Sequence, residues 1–112
     1  MKKIEAIVRP EKVDEIRKAL EKSGYPGVTI TEVEGHGKQK GVTSQWRGES
    51  YKVDLLPKVK LELVVSDKDV DRLTSAIASA AKTGGVGDGK IFISEVREAV
   101  RIRTGEKGEE AL

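Results

Sequence analysis

Apolar residues recur at two different periods along this chain, and the alternation between those periods predicts the order of its elements. From Lys3 to Val8 every second residue is apolar (Ile4, Ala6 and Val8), which predicts a strand with one buried face. Pro10 fits the first position of a helix, where its missing N–H costs nothing. Val13, Ile16 and Leu20 then follow at helical spacing. Ser23-Gly24 ends that helix, and Pro26-Gly27 turns the chain. Val28 to Glu34 is rich in Val, Ile and Thr and predicts a second strand; its alternation slips near Thr31 to Val33, so a bulge or an edge position is expected.

The pattern then stops. Between Gly35 and Leu56 no period holds, and about twenty residues without an element predict a functional or disordered loop. Clean alternation returns from Lys58 to Val65, with Val59, Leu61, Leu63 and Val65 on one face. Ser66 with Asp69 three residues on resembles a capping box. Val70, Leu73, Ile77 and Ala80 form the stripe of a second helix, which Thr83 to Gly89 ends, and Lys90 to Val96 predicts a fourth strand. The polar tail from Arg97 to Leu112 is expected to hold a short turn.

Strand–helix–strand–loop–strand–helix–strand is the order of an α+β, ferredoxin-like βαββαβ fold: an antiparallel sheet with two helices on one face. The other face would stay open. Ile7, Val33, Val64 and Phe92 are expected on it, and such residues favour cover by another subunit.

Composition narrows the function. The 112 residues fit a single domain, 1–112, with enough chain for one core. Charged residues make up 36% of the chain, yet the formal net charge is only +2, which argues against direct nucleic-acid binding. Aromatics at 4% leave few platforms for stacking bases. There is no cysteine, so disulfides and thiolate metal sites are excluded. The start, Met1-Lys2-Lys3-Ile4-Glu5, carries no apolar run, and no segment approaches the roughly 20 apolar residues of a membrane span. A cytoplasmic protein without membrane insertion is expected.

Three segments carry candidate chemistry, and each also reads as an ordinary solvated loop or strand. Gly84 to Lys90 has the opening of a phosphate loop, but Ile91 stands where a magnesium-binding hydroxyl belongs, and the segment leads from helix to strand instead of strand to helix. What survives is a glycine-rich nest for an anion, with Lys90 beside it. Gly35-His36-Gly37-Lys38-Gln39-Lys40-Gly41 is a second such segment: its glycines permit close backbone approach, its lysines attract phosphate or carboxylate, and Gln39 offers an amide oxygen to magnesium. In Arg101-Ile102-Arg103 both guanidiniums would point the same way if the segment is extended, a pair suited to phosphate. His36 is the lone histidine, with no nucleophile or orienting partner evident. Trp46, Arg47 and Tyr51 in the long loop suit either local packing or a partner-binding tip, and the Tyr51 phenol is open to a modifying enzyme. Taken jointly, these segments fit binding a polyanion without transforming it.

Gly37-Lys38-Gln39-Lys40-Gly41, Arg47-Gly48-Glu49-Ser50-Tyr51, Leu56-Pro57-Lys58-Val59-Lys60, Gly87-Asp88-Gly89-Lys90-Ile91-Phe92 and Arg101-Ile102-Arg103-Thr104-Gly105-Glu106 closely resemble blocks of PII signal-transduction proteins, in the same order and over essentially the whole chain. The resemblance implies a compact homotrimer with nucleotide clefts between subunits, where ATP and ADP compete. It implies a nucleotide loop at about 83–90, in which Gly87, Asp88, Gly89 and Lys90 hold phosphates, and a C-terminal loop at about 98–112, from which Arg101 and Arg103 reach across a subunit boundary. Thr29, Gly35, Gly37 and Lys38 would line the same cleft. It implies 2-oxoglutarate beside magnesium-ATP, with Gln39 carrying Mg2+ and Lys40, Gly41 and Lys58 meeting the carboxylates. The segment at about 37–55 would be the flexible T-loop, with Tyr51 at its modification position. Lys38 stands where Arg is common, His36 where an aromatic is common, and Glu49 where some relatives carry a phosphorylated Ser. The implied role is a nitrogen, carbon and energy sensor and not an enzyme, acting on an ammonium transporter or nitrogen-assimilation enzymes and drawn to the membrane through the transporter. A weak ATPase or phosphotransferase, or a similar trimer sensing another small molecule such as AMP, are the alternatives.

Overall fold

In the computed structural model, residues 1–36, 43–46, 49–52 and 55–112 are described, those at 43–46 and 49–52 by backbone pairing alone. β1 (Lys2–Val8) leads through a 3-10 turn at Pro10–Lys12 into α1 (Val13–Lys22), and β2 (Thr29–Gly35) follows. A hairpin of β3 (Thr43–Trp46) and β4 (Glu49–Lys52) precedes β5 (Leu56–Val65). A second 3-10 turn, Asp67–Asp69, opens α2 (Val70–Ala81), which leads to β6 (Lys90–Glu95).

The main sheet is antiparallel throughout, in the order β2-β5-β1-β6. Register explains the core. Ile4 faces Leu63, Ala6 faces Leu61 and Val8 faces Val59 across the β1–β5 pair, so a single face collects every buried residue of both strands except Lys58. Onto that face pack Ile16 and Leu20 of α1 and Val70, Leu73, Ile77 and Ala81 of α2. Leu61, Leu73 and Ile77 are fully buried, each burial favouring the fold by about 1.5–3 kcal/mol. Both helices therefore lie on one side, as an α+β ferredoxin-like order requires. Tyr25, just past α1, ties the helix layer to the sheet by donating its hydroxyl to the Val64 carbonyl.

The open face carries Ile7, Val33, Val64 and Phe92, the expected residues, with Phe92 more than half exposed in the single chain. Charged residues share it: Lys3 and Glu62 approach to 3.8 Å, and Glu5 and Glu62 stand opposite each other. β2 is an edge strand and almost wholly exposed, which accounts for its loose alternation without a bulge.

Three local expectations are corrected. The stretch from Gly35 to Leu56 is not free of elements: Thr43 pairs with Lys52, Ser44 with Tyr51, Gln45 with Ser50 and Trp46 with Glu49. A hairpin of mostly polar residues lacks the alternation that a core-facing strand shows, so its sequence gave no period. Ser66 makes no side-chain cap; its carbonyl instead accepts from the Asp69 N–H at 3.0 Å in the 3-10 turn. Pro10 opens a 3-10 turn and not α1 itself.

Candidate functional site

The ends of β1, β2, β5 and β6 meet beside the loop 83–89, and there a cleft of about 500 Å³ opens. Gly35, His36, Lys58, Lys90 and the backbone of Gly85 to Gly89 line it, with Ile7, Leu56, Val86 and Phe92 as its apolar wall. A mixed lining of this kind suits a ligand with one flat apolar part and one charged part.

Glycine is required at particular points of this cleft. Gly84, Gly87 and Gly89 have φ of +93°, +101° and +101°, which L side chains rarely adopt. At Gly89 a Cβ would fall 1.7 Å from the Ile7 carbonyl oxygen, so the loop lies directly against β1. At Gly35 a Cβ would meet the Lys58 side chain at 2.9 Å, so the strand end and the lysine pack against each other.

Side chains hold the loop from below. The Asp88 carboxylate accepts from the Thr83 N–H at 2.8 Å, the Gly84 N–H at 2.9 Å, the Thr83 hydroxyl, and Arg9 Nε at 3.2 Å. Arg9 also donates through Nη2 to the Val86 carbonyl at 2.8 Å. Lys58 donates to the Gly87 carbonyl at 2.8 Å. The Thr83 hydroxyl, its N–H, the Gly84 N–H and Arg9 together hold the Asp88 carboxyl well below the usual carboxylate range. Lys58 is buried, and burial pushes its ammonium down, reinforced by the Arg9 charge and opposed by Glu11 and Asp88. A buried cation at a cleft wall attracts an anion, whose charge would restore its affinity for the proton.

Within one chain the structure thus brings together Gly35, Gly87, Asp88, Gly89, Lys90 and Lys58. Thr29 lies at the far end of β2, opposite Glu62, and does not line this cleft. Arg101 and Arg103 lie in the C-terminal segment, also away from it. That segment is not extended: the Gly105 N–H bonds the Arg101 carbonyl at 2.7 Å, and Val100 bridges to Lys107, which makes a tight turn. Arg101 is held by Glu106 at 2.9 Å and by the Leu112 carbonyl at 3.0 Å, whereas Ile102 and Arg103 project as exposed residues at the tip. Gly37, Lys38, Gln39, Lys40 and Gly41 lie outside the described residues, and Tyr51 is described only as a backbone position in β4.

Sequence reasoning missed Arg9, and it placed Thr83 in the nucleotide loop without giving it a role of its own. Nothing local marks Arg9, because its partners lie 77 and 79 residues away. Thr83 had a weak signal: a hydroxyl at a helix end, five residues before a carboxylate in a glycine-rich loop. Among the described residues no group of His, Cys, Asp and Glu could hold a metal ion, and no helix is long and apolar enough to cross a membrane.

An antiparallel four-stranded sheet with two helices on one face and a glycine-rich, cation-flanked cleft at its strand ends defines a small α+β protein of ferredoxin-like order. The family model for nitrogen regulatory protein P-II matches residues 1–106, and this chain belongs to that family. A relative named nitrogen regulatory protein P-II 2 from Methanothermobacter thermautotrophicus is 56% identical over all of this chain and 97% of its own. Nitrogen regulatory proteins P-II from Rhodospirillum rubrum and Azospirillum brasilense are 55% and 56% identical over the full length of both chains. The family supports a role in nitrogen signal transduction, and these relatives are named as regulators and not as enzymes.

Proposed function

We propose that this chain is a non-catalytic sensor of nitrogen, carbon and energy status that binds ATP or ADP in clefts completed by a second copy of itself within a homotrimer. The observation that carries the reading is the cleft at the strand ends, where glycine backbone at positive φ, Lys58 and Lys90 converge beside an apolar wall. Gly87, Asp88 through its backbone N–H, Gly89 and Lys90 take the phosphates, and Gly35, Gly37 and Lys38 complete that side. Thr29, Arg101 and Arg103 lie away from the cleft of their own chain, which suits groups offered to a neighbour's cleft, and the half-exposed Phe92 on the open face favours that neighbour.

Magnesium-ATP bound with Gln39 creates the place for 2-oxoglutarate, whose carboxylates meet Lys58, Lys40 and Gly41. The 37–55 segment then adopts one arrangement with these effectors and another with ADP. A ligand shifts that balance only by its differential affinity for the two. Through this segment the protein engages an ammonium transporter or nitrogen-assimilation enzymes from the cytoplasm, reaching the membrane through the transporter, with Tyr51 as the position of covalent control.

Calorimetry with ADP, with magnesium-ATP, and with magnesium-ATP plus 2-oxoglutarate tests this. The expected result is binding of both nucleotides, binding of 2-oxoglutarate only with magnesium-ATP, and no nucleotide turnover over hours. Protein that binds neither nucleotide overturns the reading, and steady turnover replaces it with an ATPase.

A further inference from the structure

A carboxylate in the middle of a phosphate-binding loop is an electrostatic contradiction, because Asp88 lies within the same stretch whose backbone would receive an anion. The geometry removes the contradiction. All the contacts described for the Asp88 carboxylate are made to the protein's own donors, the Thr83 hydroxyl, the Thr83 and Gly84 N–H groups and Arg9 Nε. The Asp88 side chain is about a quarter exposed and the Arg9 side chain less still. Arg9 is anchored at the end of β1, and it also holds the Val86 carbonyl. One guanidinium thus ties both ends of the loop's crest to the sheet, while the carboxylate ties that crest back to the end of α2.

We propose that Arg9, Thr83 and Asp88 are positioning residues: they form a latch that sets the 84–90 backbone in its anion-binding shape before any ligand arrives, and the Asp88 carboxylate makes no phosphate contact. The inference rests on the nucleotide-binding reading above for its ligand, but the latch exists in the free protein and can be examined there. Binding to a loop already in shape avoids the cost of ordering it, so loss of the latch weakens affinity without removing a ligand contact.

The sign of one substitution separates the latch from simple charge repulsion. Asp88→Asn removes a negative charge from a site that would hold phosphate. If Asp88 acted only by its charge, ADP would bind more tightly. With a latch, the Asn amide keeps one acceptor oxygen but replaces the other by an NH2 that cannot accept from the Thr83 and Gly84 N–H groups or from Arg9, and ADP binding weakens by roughly tenfold. Thr83→Val, which keeps the shape and loses the hydroxyl, weakens binding in the same direction, and Thr83→Ser restores it. Amide hydrogen exchange on the ligand-free protein provides an independent readout: the Thr83 and Gly84 N–H groups lose protection in Asp88→Asn, while amides of β1 and β5 keep theirs.

Unchanged protection at Thr83 and Gly84 together with equal or tighter ADP binding in Asp88→Asn overturns the latch. Failure of the unsubstituted protein to bind ADP overturns the nucleotide reading instead, and the exchange measurement then still decides the latch. Should Asp88→Asn not fold, the Thr83→Val and Thr83→Ser pair carries both readouts, and equal affinity and equal protection in the two overturns it.

Discussion

The loop between α2 and β6 and the turn near the C-terminus are made from the same parts. Each places a carboxylate at its centre, Asp88 or Glu106, which accepts from a threonine hydroxyl and from an arginine. Each also turns on glycine at positive φ. They differ in where the arginine comes from. Arg9 reaches Asp88 from 79 residues away and fastens the loop to the sheet, whereas Arg101 lies five residues from Glu106 and closes the turn upon itself. The packing differs in the same sense. A Cβ at Gly89 would strike the Ile7 carbonyl, but one at Gly105 would meet nothing within 4 Å. One segment is thus a fixed template on the fold, and the other a self-contained arm whose shape does not depend on the body that carries it. That division suits a cleft in which one chain supplies the cradle and another supplies the arginines.

The contrast can be tested at its extremes. Gly89→Ala should have the largest effect, because a close clash and a strained φ act together; a loss on the order of 2–4 kcal/mol is expected, seen as a lower urea midpoint together with lost ADP binding. A midpoint equal to that of the unsubstituted protein would show that the loop does not rest on β1. Gly105→Ala meets only the φ of +74°, so about 1 kcal/mol is expected on the same urea curve. If the two substitutions cost the same, the distinction between template and arm fails.

Glu106→Gln is milder for the fold, since Arg101 and Glu106 are both more than a third exposed; the unfolding free energy from urea curves should fall by less than about 1 kcal/mol. Nucleotide affinity, measured by calorimetry, should fall further than stability does, because the turn would present Arg101 and Arg103 less well. The finest test is acid titration followed by carboxyl NMR. Asp88 is depressed in the folded protein, so its contribution to stability is fully present above about pH 4 and is lost only as pH falls through its lower folded value. A carboxyl resonance at Asp88 that titrates at the ordinary aspartate position would contradict the hydrogen bonds drawn to it.

What the sequence disclosed follows from how each part is held. β1, β5, α1 and α2 were legible because their apolar residues face one shared core, and burial imposes a period on them. β2 was legible as a strand with a disturbed pattern, and its edge position explains the disturbance. β3 and β4 were not legible, because no periodic apolar face marks a polar hairpin. The glycines of the cleft and Lys90 could be named from composition and spacing, since positive φ and anion attraction are properties of residue types, whereas Lys58 was named only through the family resemblance. Arg9 could not be named, because its role exists only once β1 lies beside the end of α2, a fact of topology that no window of the chain contains. The arginines of the tail and a short turn within it were named, but the form of that turn was not, since it depends on the Glu106 and Gly105 contacts and not on alternation.

β2 has a consequence for how the molecule behaves among its own kind. Along its outer side, among the described residues, the backbone of Thr29 to Gly35 has no neighbouring strand, a ribbon ready to template further sheet growth. By register Glu32 stands with Val59 and Glu34 with Pro57, so both carboxylates lie on the helix-side face of this edge strand. Charges placed on an edge strand disfavour edge-to-edge pairing, so crowded copies of this chain should resist growing one sheet through β2.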